Sequence, residues 1–183
     1  MRLHCLAPLV GAALVVLATP AEAWKTYISH PLGFSFQMPG EVKMEKRTYH
    51  GAAGTHDAIV FRSVDDNIEY KATVVDLAAQ ADDAANLLGE AEFTFQQGKK
   101  VLMDAFVRAD RVYGRKLAID LPNNGGRSTA SFYFVDGRLI SVQATVLPAN
   151  GDYGSPNMGK FVDSIAFYTI RVPPDATELP PTK

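Results

Sequence analysis

His50 and His56 flank the run Gly51-Ala52-Ala53-Gly54-Thr55, and Asp57 follows the second imidazole. Two strands meeting at that loop would bring the rings together, which is how a metal site begins. A third ligand at a fixed helix or strand offset is missing, and loop histidines are ordinarily solvated. His30, in the stretch SHPLGFSFQMPGE, is placed beside no other candidate by its spacing. Serine chemistry needs a nucleophile held beside a histidine and an acid. The chain has no G-x-S-x-G elbow, and the serines of GRSTAS and GSPNMG lack its strand–turn–helix setting. In GEAEFTFQQGKK no Ser or Thr follows the lysine, and Gly89 falls inside a helical pattern, so a phosphate loop is excluded. The carboxylate pairs read as a turn (Asp65-Asp66), a helix start (Asp82-Asp83) and a solvated helix face (Glu90 and Glu92). An acid–base pair would need a pocket that separates two pKa values, and nothing in the sequence places one of these pairs there. The expectation is a protein without catalytic residues, metal ligands or a bound cofactor.

One constellation remains, in STASFYFVDGRLISVQATV. Ala130, Phe132 and Phe134 alternate with Thr129, Ser131 and Tyr133; Ile140, Val142, Ala144 and Val146 alternate with Ser141, Gln143 and Thr145. A two-residue Asp136-Gly137 loop would set even positions against odd ones and mix these faces. A three-residue loop, Val135-Asp136-Gly137, pairs Phe132 with Ile140 and Ala130 with Val142, with Gly137 in the left-handed position. On that register Thr129, Ser131, Tyr133, Ser141, Gln143 and Thr145 form one polar ladder. An ordinary solvent face with cross-strand Thr and Ser pairs accounts for it. Read as an interaction surface, its candidate residues are Ser131, Tyr133 as aromatic anchor and Gln143 as hydrogen-bonding group.

The elements that would carry these residues follow from periodicity. Asp82 to Gln97 reads as a helix, with Ala84, Ala85, Leu88, Ala91 and Phe95 as its apolar stripe and Gly98 as its stop. A second helix covers Pro156 to Ser164, with Phe161, Val162 and Ile165 facing inward. In LAIDLPNNGGRSTAS an even loop, Asn123 to Gly126, lets Leu117, Ile119 and Leu121 meet the even-numbered apolar set. THDAIVFRSVDDNIEYKATVVDL forms a hairpin around Asp65-Asp66-Asn67, and Val42 to Tyr49 a half-exposed, charged edge strand. In SHPLGFSFQMPGE, Phe34 and Phe36 share one face of a short strand bracketed by Gly33 and Pro39-Gly40.

Residues 1–23 read as a cleaved signal peptide: Arg2, an apolar run from Leu6 to Ala18, then Ala21 and Ala23 at an A-x-A site. The run is shorter than the about 20 residues a membrane-spanning helix needs. Cleavage would remove the chain's one cysteine, leaving no disulfide, thiolate ligand or cysteine nucleophile. Residues 24–171 then form a single domain large enough for a proper core, and 172–183, with four prolines, a flexible tail. A net charge of −2 with mixed signs gives no reason to expect nucleic acid.

The order GFSFQMPGE, IEYKATVVDL, a helix ending in GKKVL, YGRKLAIDLP, GRSTASFYFVDGRLISVQATV and FVDSIAF resembles the PsbP/DcrB-like family of small exported bacterial proteins, over residues 24–167. The resemblance implies an α+β fold: a PsbP-like α/β/α sandwich with a mainly antiparallel sheet and two principal helices. The Gly114-Arg115 and Asp136-Gly137-Arg138 turns match family positions. The family implies non-catalytic binding or assembly modules of the periplasm, cell envelope or thylakoid lumen. The expected function is an exported periplasmic binding or protein-interaction module, its partner an envelope protein or a small ligand. The alternative is a carrier of a small apolar ligand or lipid between sheet and helix; a hydrolytic or metal-dependent enzyme is the third reading.

Overall fold

A computed structural model gives the architecture and describes residues 23–51, 54–167 and 177–179. Apart from Ala23, the segment read as a signal peptide lies outside them. In chain order the elements are β1 (Trp24–Ser29), β2 (Phe34–Pro39), β3 (Lys43–Gly51), β4 (Gly54–Asp65) and β5 (Ile68–Asp76). A 3-10 segment (Ala78–Asp83) leads into α1 (Ala84–Gln96), then β6 (Lys100–Ala109) and β7 (Val112–Asp120). After a short 3-10 turn come β8 (Arg127–Val135), β9 (Arg138–Val146), α2 (Pro156–Val162), β10 (Ala166–Phe167) and β11 (Thr177–Glu178).

Seven strands form one sheet in the order β3-β4-β5-β9-β8-β7-β6, every neighbouring pair antiparallel. A smaller sheet has the order β10-β2-β1-β11. The helix α1 packs on β7 and β8 over one face of the large sheet. The other face carries α2 together with the small sheet, whose β2 meets both β4 and α2. That layer is thus strand as well as helix. The tail contributes to it: Thr177 and Glu178 run parallel to β1, the Leu179 amide donates to the Ile28 carbonyl at 2.8 Å, and the Leu179 side chain is buried. So a segment read as a flexible tail is, at 177–179, tied to the sheet.

Each face of the large sheet has its own core. Under the small sheet, Phe34, Phe36, Phe61, Tyr70 and Phe161 are fully buried, with ring centroids 5.3–6.3 Å apart, a spacing that favours aromatic pairs. The bracketed strand of SHPLGFSFQMPGE therefore supplies the centre of this core. Under α1, a second cluster joins Leu77, Leu87, Ala91, Leu117, Ala130, Phe132 and Leu139. The buried stripe of α1 runs through Leu87 rather than Ala85, which is exposed. The 3-10 segment places the start of α1 at Ala84. In α2, Phe161 and Val162 face inward as the spacing predicts, joined by Met158.

The turns decide the registers. The β8–β9 loop has two residues, not three: Asp136 (φ 50°) and Gly137 (φ 71°) are both left-handed, and Val135 pairs with Arg138. This is the primed hairpin geometry that matches strand twist. A Cβ at position 137 would lie 2.7 Å from Ala78 Cα, so the turn also needs glycine for close packing. Even positions therefore face odd ones: Phe132 opposes Ser141 and Tyr133 opposes Ile140. Between β7 and β8 the parity is as expected, with Leu117 opposite Ala130, although Asp120 pairs with Arg127 and the loop runs from Leu121 to Gly126. The β4–β5 turn falls at Asp66-Asn67, and β3 lies at the edge of the sheet. Gly114 is inside β7 and not in a turn; a Cβ there would meet the Tyr133 ring at 2.5 Å.

Candidate functional site

On the α1 face of the large sheet the registers align Glu45, Arg47 and Tyr49 of β3 with Val60 and Arg62 of β4. The row continues through Glu69, Lys71 and Thr73 of β5 to Ser141, Gln143 and Thr145 of β9. The helix α1 lies over β7 and β8 and leaves this half of the face open. What remains is a groove in two joined parts. One, of about 370 Å³, has charged walls from Glu45, Arg47, Arg62 and Glu69. The other, of about 260 Å³, runs along the flank of α1 between Val75, Ala91, Phe95, Phe132 and Leu139. Tyr49, Lys71, Thr73 and Gln143 line both.

The charges are graded along the groove. At the rim, Arg47 Nε donates to Glu45 Oε2 at 2.9 Å, and this bond holds the Glu45 carboxyl below its ordinary pKa. Arg62 stands between Glu45 at 3.8 Å and Glu69 at 3.9 Å. Lys71, at the junction of the two parts, makes no hydrogen bond or ion pair among the described residues. Burial lowers its pKa; Glu69 opposes that shift and Arg62 adds to it. Burial also pushes the Tyr49 phenol up, helped by the charge of Glu90. Gln143 donates to Ser128 Oγ at 2.9 Å and to Thr145 Oγ1 at 3.2 Å, a network that fixes its side chain at the groove floor.

Of the three residues named from sequence, only Gln143 lies here. Ser131 and Tyr133 are on the opposite face, 0% and 3% exposed, beneath α2 and the small sheet. The Tyr133 ring meets Phe167 edge-on at 5.0 Å, and burial raises its pKa. The polar ladder is thus split by the two-residue turn: Ser131 and Tyr133 are core, and Gln143 is floor. Lys71, Arg62 and Tyr49 were missed. The signal for Lys71 was the alternation in EYKATV, where Tyr70, Ala72 and Val74 are buried and Glu69, Lys71 and Thr73 face the groove. His50 and His56 point to opposite faces of β3–β4, because His56 opposes Tyr49 while His50 opposes Thr55, with Nδ1 and Oγ1 3.2 Å apart. Among the described residues no three His, Cys, Asp or Glu side chains gather to hold a metal.

No known sequence family and no curated protein matches the chain. Among solved structures it is similar to cyanobacterial PsbP (CyanoP) from Synechocystis sp. PCC 6803, with a TM-score of 0.52 and 14% identity over 86% of this chain and 98% of that one. The fold is PsbP-like. A protein from Bacteroides thetaiotaomicron VPI-5482 is also similar, at a TM-score of 0.44 and 12% identity over 79% of this chain and 48% of that one. The likeness to PsbP is one of fold, and the groove must be read from its own side chains. No helix among the described residues is long and apolar enough to cross a membrane.

Proposed function

We propose that the chain is a non-catalytic binding module of the bacterial periplasm, exported by its signal peptide, and that it binds in the groove beside α1. The reading treats the layers as a PsbP-type α/β/α sandwich in which the small sheet reinforces the α2 side. One observation carries it: Lys71, an ammonium without a hydrogen-bond or ion-pair partner among the described residues, stands where a charged groove passes into an apolar one. A half-buried cation with no partner is costly to keep, and a bound anion would offset that cost. The carboxylate-bonded Arg47 and Arg62 at the rim leave Lys71 as the cation open to a ligand.

The apolar arm under α1 favours a second form of the same reading, the carrier. Its lining of Val75, Ala91, Phe95, Phe132 and Leu139 suits the hydrocarbon part of a small amphipathic anion whose head meets Lys71 and Gln143. Native mass spectrometry of the protein taken from its own periplasm tests both. A bound small mass that is lost in Lys71→Met, with a melt no lower than the parent's, and in Gln143→Ala supports the carrier. A co-isolated protein lost in the same variants supports the module. Protein that is never exported, or that carries neither species, overturns the proposal.

A further inference from the structure

The strand β6 is the free edge of the seven-stranded sheet at the end away from the groove. Several of its residues are apolar and exposed: Leu102, Met103 and Phe106, the last at 81%, with Tyr113 on the neighbouring strand at 71%. Exposed apolar edges invite another strand, and natural proteins usually blunt them. The backbone phase of β6 can be read from its hairpin. Ala109 pairs with Val112 across the two-residue turn Asp110-Arg111, and the turn's own hydrogen bond makes them a hydrogen-bonded pair. Pairs alternate from there. Arg108 with Tyr113, Phe106 with Arg115 and Asp104 with Leu117 are then the non-bonded pairs. Their β6 members direct N–H and C=O outward, to the open edge.

The outward residues read Asp104, Phe106, Arg108: an acid, an aromatic ring and a base, all on one face. Laid antiparallel against itself with Phe106 on Phe106, this strand sets Asp104 opposite Arg108 twice. It also sets Ala105 opposite Val107, which are small enough to meet on the other face. The same register makes all three outward positions hydrogen-bonded pairs, each exchanging two bonds. The bulge between Val101 and Met103 and the turn after Ala109 bound the regular segment, and Phe106 is its midpoint. Charge, hydrogen-bond phase and length therefore select one register.

We propose that two copies of this chain join through β6, antiparallel about a two-fold axis at Phe106, so that their large sheets become one continuous sheet. The contact is isologous, so it closes at the dimer. The Arg115 guanidinium lies 4.3 Å from the Phe106 ring centroid and pairs with Asp104 of its own chain, so it touches two of the three outward side chains. The groove, at the opposite end of each sheet, stays open.

The test is solution mass by light scattering or sedimentation at about 1–100 µM, the range where a contact of this size titrates. The purified chain is expected to show twice its monomer mass at the upper end. Arg108→Glu sets a new carboxylate against Asp104 of the second copy, and Asp104→Lys sets a new ammonium against Arg108. Each variant alone is expected to be monomeric, with a circular-dichroism spectrum like that of the parent. Mixed one to one, they present only complementary pairs and are expected to regain the doubled mass. A monomeric parent across the range, single variants that dimerise like the parent, or a mixture that stays monomeric would each overturn the proposal.

Discussion

The two ends of the seven-stranded sheet solve the same problem differently. At one end β3 carries charges on both faces, Glu45 and Arg47 toward the groove and Lys46 away from it, and Arg47 bonds its own neighbour Glu45. A second strand docking there would have to desolvate those charges, so the edge is closed to pairing although its backbone is free. At the other end the regular stretch of β6, residues 103–109, keeps its charges to one face, in a self-complementary order, and leaves the other face to Ala105, Val107 and Ala109. The cover is divided in the opposite sense. Over β7 and β8 the helix α1 seals the sheet; along β3, β4 and β5 the groove remains. An edge closed by charge can border an open site, and an edge left sticky sits where the face is sealed.

The sharpest break in this comparison is between covered and open halves of one face. Phe132→Ala removes a buried ring that meets Phe95 at 5.4 Å and Leu139 and Leu117 in the same cluster. It is expected to cost about 3–4 kcal/mol in urea unfolding. Arg62→Ala, on the same face in the open half, is expected to cost under about 1 kcal/mol, since its ion pairs are long and partly solvated. Comparable losses would mean that the groove is a packed part of the core.

Next in size is a pair of prolines on β6. Ala105→Pro deletes an amide that bonds Lys116 across the ladder and leaves that carbonyl unpaired, a loss of about 2–3 kcal/mol. Phe106→Pro deletes an amide that points outward, and is expected to cost under about 1 kcal/mol while abolishing the doubled mass. A larger cost for Phe106→Pro than for Ala105→Pro in denaturant melts would show that the hydrogen-bond phase assigned to β6 is inverted.

The strand turn at Asp66-Asn67, the charged edge at β3, both helices and the buried Phe34 and Phe36 were legible in the sequence, because each is fixed by local chemistry: turn residues, alternation or a 3.6-residue stripe. The β8–β9 register was not. Matching apolar residues across adjacent strands presumes one wet face and one dry one. In the fold β8 is covered on both faces, while β9 turns Ser141 and Gln143 to the groove, and each core takes the apolar set of one strand: Phe132 and Ala130 under α1, Ile140 and Val142 under the small sheet. With both faces of β8 buried, alternation no longer says which residues share a side, and the local preference of Asp-Gly for a two-residue primed turn decides. One residue of loop length moved Ser131 and Tyr133 into the core and left Gln143 in the groove.

The smallest expected effect is also the most specific to the groove. Lys71 has a pKa lowered from its ordinary 10.5, burial being the main cause. Below the folded-state pKa it is charged in both the folded and unfolded chain, and the folded state bears the whole desolvation penalty. As pH rises from the folded-state pKa toward 10.5, the folded chain gives up its proton first, so the unfolded chain binds more protons and this group's contribution to stability grows. Tyr70, Tyr49 and Tyr133 act oppositely, because their raised pKa values make the folded chain the better proton holder above pH 10. Raw alkaline melts therefore mix two signs, and the informative quantity is the difference between the parent and Lys71→Met. The variant lacks the penalty, so it is expected to melt slightly above the parent near pH 7, by about 1–2 °C. That gap should narrow as pH climbs toward the ordinary lysine pKa. A gap that is flat with pH, or that widens, would mean that the Lys71 ammonium is solvated, and the groove would lose the one cation that distinguishes it from the charged rim of β3.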